Sequence, residues 1–560
     1  MCQLCLARFR QKYFSSRRSF LKGAAATSIA AAGGLKLFAP RPAAAQGNSP
    51  LSSGAPGRRY VIRGGTVMTM DPNTPGADDK VVGGFKQPAD VLVEGNKILA
   101  VGPNIGNVGG AGEIDATGRI VMPGFIDTHH HQFETAIRGW LADGVLIDDG
   151  SGSPSGSRTY FENILLRFAP KYRPQDVYIS ELFGGLSQLD DGVTTVHDVS
   201  QIHHSPAHSD AAIQALIDTG RRAAFGYFES AGGVPGNQYP QDATRIFNQW
   251  FGPNNLSKNE LVHMIMGGEV YLGDATTVAS WTLGRQLGLQ IAAHILSPFG
   301  ITPTLDRLTS TGISGIKVGS DNLFIHMTGQ SADAWDAVQK VGAQVSIAFP
   351  IEMNMRHGIP PIIKMQLLAK KAGTPFEPSL STDVEVTMTA DFFTQMRVAM
   401  NMQREVVNQM ILEQNATTKI ETATDSFYPP APGFFAWPTP LADIPPLLTT
   451  RDVLRYATVN GAKALRLDKK VGSLTPGKEA DIIILDPTSI NVAPLNHVPG
   501  AVVALMDRTN VETVIVAGKV RKWKGQLLDV NLDKLRSQLV ASRDAIFAAA
   551  AIPQDLFDSH

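Results

Sequence analysis

The strongest constraint on the fold is an alternation running from Phe125 to Asp383. Eight short apolar runs recur there, ending near His129, Asp198, Glu229, Glu269, His294, His326, Pro350 and Asp383, with helical text between them. "DAAIQALIDTG" and "SADAWDAVQKVGA" show the helical pattern, with apolar residues on one face and a glycine at or near the stop. Strands alternating with helices predict a parallel sheet. Eight such units predict an α/β fold closed as a (β/α)8 TIM-like barrel. A chain of 560 residues accommodates that barrel plus a smaller companion.

The flanks have another texture. "YVIRGGTVMTM", "ADVLVEGNKILAVG" and "EIDATGRIVMPG" precede the barrel, and "VGSLTPGKEADIIILD" and "VETVIVAGKVRKW" follow it, all short β-like runs between turns. They predict a small β-sandwich built from both flanks, 60–122 and 459–527, around a barrel at 123–458. A linker at 46–59 and a C-terminal helix at 528–560 complete the division. The Pro-rich piece from Tyr428 to Pro446 is too long for a connector and reads either as a lid over the barrel mouth or as a surface loop pinned by its aromatics.

Residues 1–45 form a category of their own. "SSRRSFLKG" is a twin-arginine export signature, followed by a weakly apolar run and the small-residue pattern Ala43-Ala44-Ala45. The uncharged run from Gly23 to Leu35 is shorter than the ~20 apolar residues a membrane span needs. The expectation is a signal peptide removed after Ala45, export to the periplasm or beyond, and no membrane span afterwards. Eight of the 50 basic residues and none of the 51 acidic ones lie in that segment, so the remainder carries a formal charge of −9. That balance excludes a basic nucleic-acid footprint. Cys2 and Cys5 would leave with the segment, which excludes a disulfide, a thiolate nucleophile and a Cys-ligated metal. The partner expected is a small-molecule substrate; assembly into a homo-oligomer is left open.

"PGFIDTHHHQFE" places three consecutive histidines after the first apolar run. Side chains alternate along a strand, so His129 and His131 share a face and His130 points away. Two imidazoles on one face suit a metal ion, and the working end of such a barrel is the C-terminal end of its strands. "LQIAAHILS" ends a strand at His294, "NLFIHMTG" at His326, and "PSLSTDVE" at Asp383. Each alone reads as a hydrogen-bonded strand end; four histidines and an aspartate at the same end of four strands do not. The loop "SQIHHSPAHSD" brings His203, His204 and His208 to that face, with His204 as the candidate for the substrate pocket. His263, inside an apolar run, reads as a core residue. Gly64-Gly65 and Gly83-Gly84 lack the context of a phosphate-binding loop.

From roughly Tyr60 to Lys522 the chain resembles the amidohydrolase superfamily, in the branch of cytosine deaminases and triazine hydrolases. "IDATGRIVMPGFIDTHHH", "LDDGVTTVHDVS", "STDVEVTMTADFFTQMR" and "NGAKALRLDKKVGSLTPGKEADIIILD" carry the likeness. It implies that His129, His131, His294 and Asp383 hold one divalent metal, Zn or Fe, with His326 beside the attacking water or the leaving group. The fourth run, "LVHMIMGGEVYLG", has no lysine to bridge a second ion. The implied activity is metal-dependent hydrolysis of a carbon–nitrogen, non-peptide bond in a small cyclic or heterocyclic substrate, as an amidohydrolase or deaminase. Asp383 would take the water's proton and His326 would stabilise developing charge.

One departure from the branch stands out. The family's His-x-x-Glu at the fifth strand, whose glutamate shuttles a proton, reads His294-Ile295-Leu296-Ser297. Serine cannot serve as that acid or base near neutral pH. Asp383 acting twice, Glu352 or His357 from the seventh loop, and Glu134 after the first strand are the available substitutes, with His204, His357 and Glu134 also candidates for substrate contact. Hydrolytic dehalogenation of a heteroaromatic ring and a catalytically silent metal- or solute-binding barrel are the alternatives.

Overall fold

In a computed structural model of the chain, described here for residues 53–148, 158–230, 238–253, 260–415 and 444–556 apart from 56 and 555, each of the eight apolar runs forms a strand. These are β1 (Phe125–His130), β2 (Val193–Ser200), β3 (Arg222–Tyr227), β4 (Val262–Gly267), β5 (Ile291–Ile295), β6 (Asn322–His326), β7 (Gln344–Ile347) and β8 (Ser379–Leu380). Each pairs in parallel with the next. The seventh run ends sooner than its sequence suggests: Phe349–Asn354 is helical, so the expected end near Pro350 falls inside a helix. The signal-peptide segment and nearly all of the Pro-rich piece lie outside the described residues.

Closure between β8 and β1 is made largely by polar side chains, because β8 offers only two ladder residues. The Thr128 hydroxyl lies 2.7 Å from Ser346 Oγ and 2.8 Å from Ser379 Oγ. Asp127 accepts from the Thr382 hydroxyl at 2.5 Å and from Gln188 Nε2 at 2.7 Å. Above them the His131 N–H donates to the Asp383 carbonyl at 2.8 Å, and the Asp383 N–H to the His129 carbonyl at 2.9 Å. The seam of the barrel therefore runs through the residues of the predicted metal site.

Helices cover the outside. Pro206–Thr219 starts on Pro206, and Ser205 before it turns its hydroxyl to His208 Nδ1 at 2.8 Å instead of to the helix's first N–H groups. Ala332–Val341 is capped by Ser331, which accepts from the Ala334 N–H, and stops at Gly342 in the left-handed conformation. The C-terminal helix Leu532–Ala550 packs on the barrel: Phe547 meets Phe168 and Trp140, and Ser542 donates to Asp176 at 2.7 Å.

The two flanks share one nine-stranded mixed sheet. Its first strand, Arg59–Val67, pairs with Ala89–Glu94 and then, past a register shift at Ile62/Gly65, with Ile120–Pro123. Gly65 sits at that switch because a Cβ there would meet the Val121 side chain at 2.6 Å. Ile482–Leu485 explains the unbroken apolar text "IIIL". Ile482 and Ile484 enter the core of the flanking sheet, while Ile483 and Leu485 enter that of the barrel. A strand buried on both faces has no polar side to alternate with, and each such side chain contributes about 1.5–3 kcal/mol on burial. Among the described residues no helix is long and apolar enough to cross a membrane.

Candidate metal centre

β1 delivers His129 and His131 as the alternation predicts, but by a less regular route. Ile126 belongs to the barrel interior, with Ala224, Ile265, Ala292 and Leu323. Strict alternation from Ile126 would turn His129 away from that interior. Between Asp127 and His130 the pairing with β2 shifts, so that three steps along β1 match two along β2. Such a bulge re-aims side chains at a site, and here it brings both imidazoles inward. His326 is re-aimed by its backbone: Ile325 faces the interior, and a φ of 72° at His326 turns the next side chain the same way. Met327 and Asp383 also have positive φ, 58° and 64°. Strain of this kind costs about 1–3 kcal/mol per residue and persists where the surroundings enforce it.

The result is a tight cage. His129 Nε2 lies 2.9 Å from His131 Nε2 and 3.1 Å from His294 Nε2. Asp383 Oδ1 is 3.6 Å from the Nε2 atoms of both His129 and His131, and Asp383 Oδ2 is 3.5 Å from His326 Nε2. Donors around a tetrahedral ion at about 2.0–2.1 Å are separated by about 3.3 Å; His129 with His131 and Asp383, and His129 with His294 and His326, form two clusters sharing His129 whose donor atoms lie close enough to hold a cation. Three imidazoles with one carboxylate suit zinc or iron. Burial, reinforced by the neighbouring imidazoles, pushes the His129 and His131 pKa values well below the usual range and keeps the ligating, neutral form. Burial also pushes Asp383 up to about 7, partly offset by His294; a cation in the cage would favour its ionised form.

Two buried carboxylates hold the outer nitrogens. Glu269 places Oε1 2.5 Å from His294 Nδ1 and accepts the His294 backbone N–H on Oε2 at 3.1 Å. Burial disfavours charge on His294, yet Glu269 outweighs it and raises the pKa. Glu352 Oε1 lies 2.9 Å from His326 Nδ1 and accepts the Ala348 N–H at 3.1 Å. Glu352 thus acts through His326. His357 stands in the cavity with its ring centroid 4.7 Å from that of His326, and neither ring nitrogen has a hydrogen-bond partner among the described residues. Burial lowers its pKa to about 3.

The cage opens into a cleft with about 380 Å³ of empty space, part of it open to solvent. Leu146, Leu165, Leu296, Phe299 and Met355 give it an apolar wall, and Tyr160, Gln201 and Tyr271 add polar groups. Three residues singled out in the sequence stand outside the cavity lining. His204 does not line the cavity, because its Nε2 is engaged with the Ala169 carbonyl at 2.9 Å; Gln201, three residues earlier, lines it instead. Glu134 lies behind Tyr160, whose hydroxyl donates to it at 2.6 Å. Ser297 is exposed on the turn Ser297–Phe299, and its neighbours Leu296 and Phe299 form the wall. His130 turns away among buried polar side chains, as expected.

Residues 445–521 match the family model described as "Amidohydrolase family". That segment of the chain matches an amidohydrolase-family domain. Curated relatives of the chain include a 5-methylthioadenosine/S-adenosylhomocysteine deaminase of Symbiobacterium thermophilum, 24% identical over 80% of this chain and 89% of the relative. A 5'-deoxyadenosine deaminase of Methanosarcina barkeri is 24% identical over 82% of this chain and 92% of the relative. Among solved structures, an adenosine deaminase from Xanthomonas campestris with bound zinc aligns with a TM-score of 0.64 at 19% identity, over 88% of this chain and 99% of that one. The zinc complex of an atrazine chlorohydrolase from Arthrobacter aurescens TC1 aligns with a TM-score of 0.65 at 18% identity, over 86% and 100%. At these identities the structural likeness is one of fold: an eight-stranded barrel with a flanking sheet.

Glu269, Gln201 and Tyr271 went unnoticed as site residues in the sequence. Glu269 had a signal, a carboxylate at the C-terminal end of a barrel strand, but it served only to mark where the fourth strand stops.

Proposed function

We propose that this protein is a metal-dependent hydrolase of the amidohydrolase family that cleaves a carbon–nitrogen, non-peptide bond in a small cyclic or heterocyclic substrate. The observation that carries the reading is the convergence of His131 Nε2, His294 Nε2 and Asp383 Oδ1 within 3.6 Å of His129 Nε2 at the cavity. The deaminase names of the relatives and the zinc in the structural neighbours support it.

His129, His131, His294 and Asp383 would hold one ion, Zn or Fe. Such an ion acts as a Lewis acid and lowers the pKa of water toward about 7. Asp383 is suited to the proton transfers: Oδ1 faces His129 and His131, and Oδ2, 3.5 Å from His326 Nε2, has no hydrogen-bond partner among the described residues. His326, held by Glu352 at Nδ1, directs Nε2 to the same side of Asp383, where it can accept a proton and, once protonated, stabilise developing negative charge. The apolar wall excludes water from the reacting atoms.

A second reading follows from Ser297. With Leu296 and Phe299 at the wall in place of an acid, a leaving group that needs little protonation is favoured, and hydrolytic dehalogenation of a heteroaromatic ring meets that condition. The twin-arginine motif supports export to the periplasm.

The test is metal analysis with ammonia and halide release from cyclic amides, aminopyrimidines, purines and triazines. Turnover should vanish with chelator, return with Zn or Fe, and fall by about a hundredfold or more in Asp383→Asn. Retained turnover in that variant overturns the assignment.

A further inference from the structure

On the cavity wall, Gln201 and Tyr271 both turn to one buried carboxylate, Glu229, just beyond the end of β3. Gln201 Nε2 donates to Glu229 Oε1 at 2.8 Å, and the Tyr271 hydroxyl donates to the same oxygen. Two donors on one oxygen decide how both side chains present themselves. Flipping the amide would set its carbonyl oxygen against the carboxylate, and the phenol proton is directed away from the cavity. What remains for an occupant is acceptors: the buried Gln201 Oε1, which has no hydrogen-bond partner among the described residues, and the lone pair of the Tyr271 phenol that Gln201 Nε2, 3.5 Å away, leaves free. Tyr160 repeats the arrangement with Glu134. Burial and the adjacent carboxylates push both phenols far above their usual pKa, so they keep their protons.

We infer that this wall selects substrates presenting N–H donors, of amino, amidine or urea type, beside the reacting carbon, and rejects analogues whose flanking groups only accept hydrogen bonds. The inference rests on the hydrolase reading of the same cavity and narrows its substrate class. A site built to pair with a substrate N–H is left with unpaired groups when the analogue lacks one, and that loss is what discriminates. The apolar wall takes the ring body.

The Gln201 oxygen has one competing destination. His131 Nδ1 also has no hydrogen-bond partner among the described residues, and the Gln201 side chain stands close enough to that ring to interact with it. If the oxygen served His131, Gln201 would be a prop for a metal ligand rather than a selector.

Calorimetric titration of the zinc-loaded protein with melamine and with trimethoxytriazine separates the two. Both share the triazine ring; one carries amino donors and the other methoxy acceptors. Melamine should bind about tenfold or more tightly than trimethoxytriazine. In Gln201→Leu that preference should shrink to about threefold or less, with zinc content unchanged. Equal or reversed affinities, no melamine binding, or a variant that loses zinc while keeping the preference overturns the inference. The readout is equilibrium binding, so a protein with the donor preference that hydrolyses nothing would sink the hydrolase reading alone, and turnover without the preference would sink only this inference.

Discussion

Replacing Glu269 by glutamine tests how the cage is held. The carboxylate serves two buried groups of β5, the His294 ring at 2.5 Å and the His294 backbone N–H at 3.1 Å. Glutamine keeps one acceptor oxygen and turns an NH2 group toward the other site, so one charge-assisted hydrogen bond, about 1.5–3 kcal/mol, is lost. The ring also loses the neighbour that fixes its tautomer with Nε2 toward the ion. Partners of this kind affect metal affinity by about 10–100-fold, or about 1.4–2.8 kcal/mol, so the two routes to the magnitude agree. Competition between apo-protein and a chromophoric chelator near neutral pH would measure it, with a thermal melt of the apo-variant to show that the fold is intact. A zinc affinity within about twofold of wild type in a folded variant would refute the idea that Glu269 orients a ligand.

Glu352→Gln should lower turnover while leaving bound metal unchanged, because Glu352 orients His326 rather than the cage; metal analysis beside steady-state kinetics checks it. Ser297→Glu should leave ammonia release within about twofold of wild type, since the side chain stands on an exposed turn; a large gain would place that position in the site. Glu229 has a folded pKa of about 7 against an ordinary 4.5, chiefly through burial. The native state therefore holds its proton more tightly, and apo-protein stability should fall as pH rises from 4.5 to 7, by a total on the order of 3 kcal/mol. Denaturant midpoints of Glu229→Gln across that window should show a flatter slope; an unchanged slope contradicts the assignment.

The barrel was legible because eight apolar runs ended in polar residues at regular intervals, and both histidine pairing and Asp383 followed from strand ends. The route was not. The bulge between Asp127 and His130, and the positive φ at His326 and Asp383, depend on closure against β8, which leaves no local trace in a non-glycine sequence. Loop residues fared worst, since their direction is set by packing partners far away in the chain. His204 and Gln201 lie three residues apart on one loop, and only the Ala169 carbonyl and Glu229 decide which of them meets the cavity. Glu352 could be named from its place in the seventh loop, but its partner His326 could not.

Anomalous diffraction at the zinc edge from crystals of the zinc-loaded protein tests the metal site most directly. One peak per chain is expected, within about 2.0–2.2 Å of the Nε2 atoms of His129, His131 and His294 and of an Asp383 oxygen. A protein that takes up zinc elsewhere, or a peak bonded to fewer than three of those side chains, would contradict the proposed centre.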